Sequence, residues 1–149
     1  MSNSFLEVLR AGINTTFQDK GRFHMQHLGV TPGGCMDLDL YIIANKLVGN
    51  SLNEGVLEFA YQGPLLKLIK GKTKISITGN VIFKIIKSDK EIVEGECYRT
   101  YLLDEGDQID IMATNKSVYG YMALEGGFDI KPFYKSFSIL TRARIGPNS

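Results

Sequence analysis

Between residues 56 and 124 the chain repeats one unit: a short run rich in Val, Ile, Leu, Phe and Tyr, closed by Gly, Pro, Asn or Asp. Runs at 56–61, 65–69, 73–78, 81–87, 97–103, 108–113 and 117–124 read as strands. Branched and aromatic side chains suit a pleated, half-buried surface, and the closing residues suit turns. Gly63-Pro64, Lys70-Gly71-Lys72 and Glu105-Gly106-Asp107 mark connections, and Ser88-Asp89-Lys90 closes a hairpin. Many short strands leave exposed edges unless the sheet closes on itself, so a closed or nearly closed β-barrel is predicted.

Ahead of this repeat, residues 5–9 and 13–17 read as two strands separated by Ala11-Gly12. Residues 29–34 hold three glycines and a proline, too many for a helix or strand interior, and form a loop. Residues 36–48 are the one convincing helix: Asp37 can cap its start, Leu40, Ile43, Ala44, Leu47 and Val48 recur at helical spacing, and Gly49-Asn50 stops it. Beyond Gly126-Gly127 the pattern fades, and residues 134–145 show no clean period.

With 149 residues, 44% hydrophobic and 22% charged, the chain has material for one domain with a real core. Seventeen basic against sixteen acidic side chains leave a formal charge of +1, which argues against nucleic acid as the partner. Cys35 and Cys97 are too few for a disulfide scaffold and too far apart for a zinc motif, so both are expected as small buried apolar residues. The N-terminus lacks the features of a signal peptide, and no run approaches the ~18 apolar residues of a membrane span, so a soluble cytoplasmic protein without membrane contact is expected.

No Walker loop, dinucleotide fingerprint, Gly-x-Ser-x-Gly elbow or His-Glu-x-x-His helix occurs. What stands out is a polar series, Gln18, Asp19, Arg22, His24, Gln26 and His27, leading into the glycine loop and Asp37. His24 and His27 lack clear third and fourth ligands, so no metal is expected; one is read as exposed and the other as locally bonded. Asp37 is foremost a helix cap, although a glycine loop opening a helix is also a natural seat for a carboxylate or phosphate, with which Asp37 would compete unless it faced away. Glu58 sits among apolar neighbours on a strand, where it must either pair with a cation or have its pKa raised by burial, as in a general acid or base. Lys131, Lys135, Arg142 and Arg144 gather near the C-terminus.

The ordered set Thr15-Thr16-Phe17-Gln18-Asp19-Lys20-Gly21-Arg22, Gln26-His27-Leu28-Gly29-Val30-Thr31-Pro32-Gly33-Gly34-Cys35-Met36-Asp37 and Ala44-Asn45-Lys46-Leu47-Val48-Gly49-Asn50 resembles the C subunit of bacterial 5-oxoprolinase. That family is also known as allophanate hydrolase subunit 2, the KipI antagonist and the biotin-dependent carboxyltransferase-like family. Leu57-Glu58, Gly63-Pro64, Thr78-Gly79, Glu105-Gly106-Asp107 and the stretch from Gly120 to Asp129 follow in the family's order. The resemblance implies a cyclophilin-like β-barrel over residues 1–146 with a tail at 147–149, matching the family's N-terminal half without its second half. It implies work with the A and B subunits in ATP-dependent opening of 5-oxoproline to glutamate, with ATP belonging to the assembled enzyme and no cofactor bound by this chain, which alone is expected to be inactive. It also implies kinship with the carboxyltransferase part of urea carboxylase.

Carried over position by position, the family's polar motif falls on Gln18, Asp19, Arg22, Gln26, Asp37 and Glu58, which are the candidate substrate-binding residues. Two departures stand beside these matches. Val81 replaces a carboxylate expected at the barrel mouth, and Phe137 replaces an arginine, removing a bidentate anion donor. A non-catalytic binding module or a degenerate remnant is therefore the alternative. The surface left by a missing half is expected to expose Phe133, Tyr134 and Phe137 and to favour a homo-oligomer.

Overall fold

The computed structural model describes residues 3–147; Met1, Ser2 and two residues of the expected tail, Asn148 and Ser149, lie outside the described residues. The architecture is mainly β with one α-helix, as the repeat predicts. Its strands are β1 (Phe5–Arg10), β2 (Thr16–Gln18), β3 (Val56–Ala60), β4 (Leu65–Lys70), β5 (Thr73–Thr78), β6 (Val81–Ile86), β7 (Ile92–Glu94), β8 (Thr100–Leu103), β9 (Gln108–Thr114) and β10 (Tyr119–Leu124). The helix α1 spans Leu38–Leu47, and two 3-10 turns lie at Gln26–Leu28 and Thr141–Ala143. Strand β7, at three residues, is too short to stand out in the sequence.

The described strands pair into two five-stranded antiparallel sheets, ordered β1-β4-β9-β6-β7 and β2-β3-β10-β5-β8. The ladders thus enclose one core between two sheets, without the single continuous ring that a closed barrel would show. Strands β1 and β2, adjacent in sequence, fall at the edges of different sheets. Between them an apolar cleft of about 300 Å³, lined by residues including Leu6, Val8, Phe17, Leu57 and Phe128, marks where closure is incomplete. The hairpin expected at Ser88-Asp89-Lys90 joins β6 to β7.

Alternation decides what each sheet buries. Leu57, Phe59, Leu66, Leu68, Ile75, Ile77, Phe83, Ile109, Ile111 and Met122 form the core between the sheets. Val81 belongs to this core, so the expectation of a barrel-mouth position is corrected: its side chain lies in the apolar interior, and a carboxylate there would be desolvated. On the outer face of the second sheet, Val56, Tyr121 and Ala123 meet Tyr41, Ala44 and Val48 of the helix segment. Both faces of β3 are therefore covered, and all five of its residues are buried.

The helix is turned slightly from the stripe that its apolar spacing suggests. Tyr41 and Asn45 are buried, while Ile43 is exposed. The polar atoms explain the turn: Tyr41 Oη donates to the carbonyls of Leu52 and Glu54, and Asn45 Nδ2 donates to the Glu54 carbonyl. Ser76 and Thr78 hydroxyls in β5 donate to the Ala44 and Leu40 carbonyls and lock the helix to its sheet. Cys35 and Cys97 are half-buried at the margins of the two apolar clusters, less enclosed than expected.

Candidate functional site

Loop backbone brings the site together before any side chain does. Residues 19–22 run against residues 32–35, with Arg22 N–H donating to the Pro32 carbonyl at 2.7 Å and Cys35 N–H to the Asp19 carbonyl at 2.8 Å. The approach depends on Gly21 and Gly34: both have positive φ, and a Cβ on either would lie within 2.9 Å of a carbonyl oxygen of the facing segment. The glycine loop thus serves as a close-packing surface.

Gln18, Asp19 and Arg22 hold down the segment that shows no period. Asp19 Oδ1 accepts from Gly21 N–H and from the hydroxyls of Ser136 and Ser138, each at 2.7 Å, while Oδ2 accepts from Phe137 N–H at 2.7 Å. Arg22 Nη2 donates to the Ser138 carbonyl at 2.5 Å and Nε to that of Phe133 at 3.4 Å. Gln18 Nε2 donates to the Ile139 carbonyl and to Thr16 Oγ1. Residues 133–139 form a strap tied by three polar positions of one motif. Phe137 is half-buried, packing over Gly55 where a Cβ would meet its ring, so the expected exposed trio is reduced to Phe133 and Tyr134.

Glu58 occupies the other side of the loop. Direct cross-strand pairing sets Thr16, Glu58 and Tyr121 side by side on the helix-facing side of the sheet. Glu58 Oε2 accepts from Tyr121 Oη at 2.6 Å and from Met36 N–H at 2.7 Å, and Tyr121 Oη in turn accepts from Asp37 N–H at 2.8 Å. Of the backbone amides read from the sequence as a seat for an external anion, the two just before the helix, Met36 and Asp37, are taken from within by Glu58 and Tyr121. Asp37 is exposed and caps the helix as expected, Oδ1 accepting from Leu40 N–H at 3.0 Å.

Burial pushes the Glu58 carboxyl above its ordinary range, against the hydrogen bonds from Tyr121 and Met36 that favour its charged form. No cation pairs with Glu58 among the described residues, so the second of the two outcomes foreseen for it holds. Burial and the Glu58 charge raise the Tyr121 phenol as well. The Cys35 thiol is pushed up to about 11 by burial and then by Glu58, which keeps it protonated and a poor nucleophile at neutral pH.

Five of the six candidates thus gather around the glycine loop, and the sixth does not. Gln26 lies exposed on the first 3-10 turn. His24 and His27 are both exposed, so neither fits the reading of a local hydrogen bond. Among the described residues no group of three metal-ligating side chains comes together. Tyr121, Ser136 and Ser138 carry no signal of their own in the sequence; only the cross-strand register and the strap's course reveal them.

The chain matches the family profile described as carboxyltransferase domain, subdomain A and B, over residues 28–149. It is 30% identical to the urea amidolyase of Lachancea kluyveri over 141 residues, covering 94% of this chain and 7% of that protein. It is 27% identical to the C subunit of 5-oxoprolinase from Haemophilus influenzae over 141 residues, covering 95% of this chain and 44% of that protein. The solved urea carboxylase of Kluyveromyces lactis superposes with a TM-score of 0.88 at 26% identity, covering 98% of this chain and 12% of that one. The chain therefore spans less than half the length of these relatives. No helix among the described residues is long and apolar enough to cross a membrane.

Proposed function

Because the chain belongs to the family of the carboxyltransferase domain, subdomain A and B, we propose that it serves as the N-terminal domain of a homologue of the 5-oxoprolinase C subunit. In this reading it works with homologues of the B and A subunits in ATP-dependent hydrolysis of 5-oxoproline to glutamate, ATP being a substrate of the assembled enzyme. The carrying observation is that similarity to the C subunit over 95% of this chain coincides with a tied polar cluster at Gln18, Asp19, Arg22 and Glu58. Glu58 is the proton-holding group: burial raises its carboxyl above the ordinary range, and the Tyr121 phenol, itself raised and protonated, orients it by donating at 2.6 Å. Gln18, Asp19 and Arg22 hold residues 133–139 on the opposite side of the glycine loop.

The domain alone is inactive, since half a cleft does not hold reactants in an attack geometry. Mixing the chain with 5-oxoproline and ATP, alone and then with the A and B subunits and the remainder of the C subunit, tests this. Turnover appears only in the full mixture, and Glu58→Gln lowers kcat there by about 100-fold, the usual size of a lost acid–base group. Turnover by the chain alone overturns the reading.

A second reading, a non-catalytic binding module, is favoured by Phe137, whose ring packs on Gly55 where the family's arginine would supply an anion donor. A stoichiometric complex with the partner subunits that never turns over distinguishes it.

A further inference from the structure

The loop that gives Glu58 one of its two donors is itself held from one place. Among the described residues, the backbone bonds that tie residues 31–35 to the rest of the chain are Arg22 N–H to the Pro32 carbonyl, at 2.7 Å, and Cys35 N–H to the Asp19 carbonyl, at 2.8 Å. Both come from residues 19–22. The next amide along, Met36 N–H, donates to Glu58 Oε2 at 2.7 Å. Two consecutive amides thus join Asp19 to Glu58, and a planar peptide between them leaves little slack to absorb a shift at one end. The two segments also touch, since a Cβ on Gly34 would lie 2.9 Å from the Lys20 carbonyl oxygen.

Asp19 is in turn fixed by the strap. Ser138 Oγ accepts from Asp19 N–H at 3.2 Å and donates to Asp19 Oδ1 at 2.7 Å, so one hydroxyl grips both the backbone and the side chain. Ser138 is fully buried, and its N–H donates to Ser136 Oγ, whose hydroxyl also reaches Asp19 Oδ1. At the far end, Glu58 draws its hydrogen bonds from Met36 and Tyr121 alone. Loss of the Met36 donor halves that set. Bonds to a charged acceptor are strong but depend steeply on distance and angle, so a small displacement of the loop is enough to weaken this one.

We propose that Asp19 and Ser138 are positioning residues for Glu58: through the Cys35 amide they set where the Met36 N–H meets Oε2. The strap, far away in sequence, thereby governs how readily Glu58 gives up its proton. This deepens the reading of Glu58 as the proton-holding group and rests on it for its bearing on turnover, while the coupling itself is a property of this chain. The Met36 bond favours the charged form against burial, so a loosened strap makes Glu58 keep its proton to higher pH. The other titratable groups around the carboxyl are Tyr121 on β10, Cys35 on the loop and Tyr41 on α1, all raised by burial, and β2 faces it with Thr16. The Asp19 and Asp37 carboxylates lie near enough to act on Cys35.

The test is an NMR pH titration of the full chain, isotope-labelled at its Glu and Asp carboxyls and its amides. Ser138→Ala should lower the acid-dissociation constant of Glu58 about threefold, the effect of weakening rather than losing one bond to a charged group. It should also move the Met36 amide resonance, while Asp107, in the turn before β9, keeps its own titration. Gly34→Ala parts the two segments without touching the strap; it should act in the same direction, and it decides the matter if Ser138→Ala does not fold. Lys135→Gln, at an exposed strap position, should change neither signal. In the reconstituted mixture the pH profile of kcat should move to higher pH together with Glu58. Unchanged Glu58 titration in both alanine variants, an equal change at Asp107, or an equal effect of Lys135→Gln overturns the proposal. A moved Glu58 titration without any turnover supports the coupling and defeats only the functional reading.

Discussion

Asp19 and Glu58 are buried to nearly the same degree, 5% and 6% exposed, and lie on either side of one glycine loop, yet the fold uses them in opposite ways. Asp19 accepts four hydrogen bonds distributed over both oxygens. Glu58 accepts two, both on Oε2, and one of those donors is a phenol whose own proton is held tightly by burial and by Glu58. Depth of burial therefore does not decide what a carboxylate does. The number and kind of donors decide whether it becomes a fastening for a distant segment or, like Glu58, a carboxyl that burial raises above its ordinary range.

The sharpest way to break this contrast is Asp19→Asn, which swaps an oxygen acceptor for an NH₂ that meets hydroxyls and an N–H. A loss of about 3 kcal/mol is expected from several bonds to a charged acceptor, with release of the strap, measured by urea unfolding and by protease cleavage within residues 133–139. A loss below about 1 kcal/mol would mean that the strap is held by its apolar contacts instead. Tyr121→Phe comes next, at about 2 kcal/mol, because it strands the Asp37 N–H and removes a donor from Glu58 in one step.

Glu58→Gln should cost less, about 1 kcal/mol at neutral pH, since the amide oxygen can still accept from Met36 and Tyr121. Its informative readout is the pH dependence. With its folded pKa raised, Glu58 holds its proton more tightly in the folded state than in the unfolded one. Its contribution to stability is full below the unfolded pKa and is lost as pH rises through the folded value, and Glu58→Gln should flatten that decline. Asp107 gives the opposite sign. Burial pushes its carboxyl up, but bonds from Lys87 Nζ, Asp104 N–H and Ser88 N–H outweigh this and pull it down, so its contribution is present above the unfolded pKa and lost as pH falls through the folded one. Stability curves of the parent chain and Asp107→Asn between neutral and acid pH test that slope.

The smallest effect should be that of Asp37→Ala, about 1 kcal/mol or less, from one exposed cap bond measured as a shift in melting temperature. A larger loss would show that Asp37 also positions the Met36 and Asp37 amides for the Glu58–Tyr121 pair.

Much of this molecule is legible in its residues. The repeated strands, the glycine stop after α1 and the cap at Asp37 are local signals, each set by a few neighbouring residues. Gln18, Asp19, Arg22 and Glu58 stand out as polar residues in apolar or glycine-rich company, and all four are buried. What each does was not legible. Asp19 meets Ser136 and Ser138 across more than a hundred residues of chain, and Tyr121 meets Glu58 across 63. Those distances collapse only through strand register and a strap without regular structure, neither of which leaves a period in the sequence. The tilt of α1 towards Tyr41 and Asn45 is of the same kind, being decided by carbonyls at Leu52 and Glu54.

The residues by themselves determined a mainly β chain with one capped helix, because alternation, turn chemistry and capping act within a few positions. Only the tertiary structure decided that the strands pair as two sheets, that Val81 lies in the core, and that the Met36 amide leading into the helix is taken by Glu58. Only it buried Arg22 beside Asp19 with its bonds spent on the Phe133 and Ser138 carbonyls. Each of these depends on which distant groups meet, and that choice is made by the whole core packing at once.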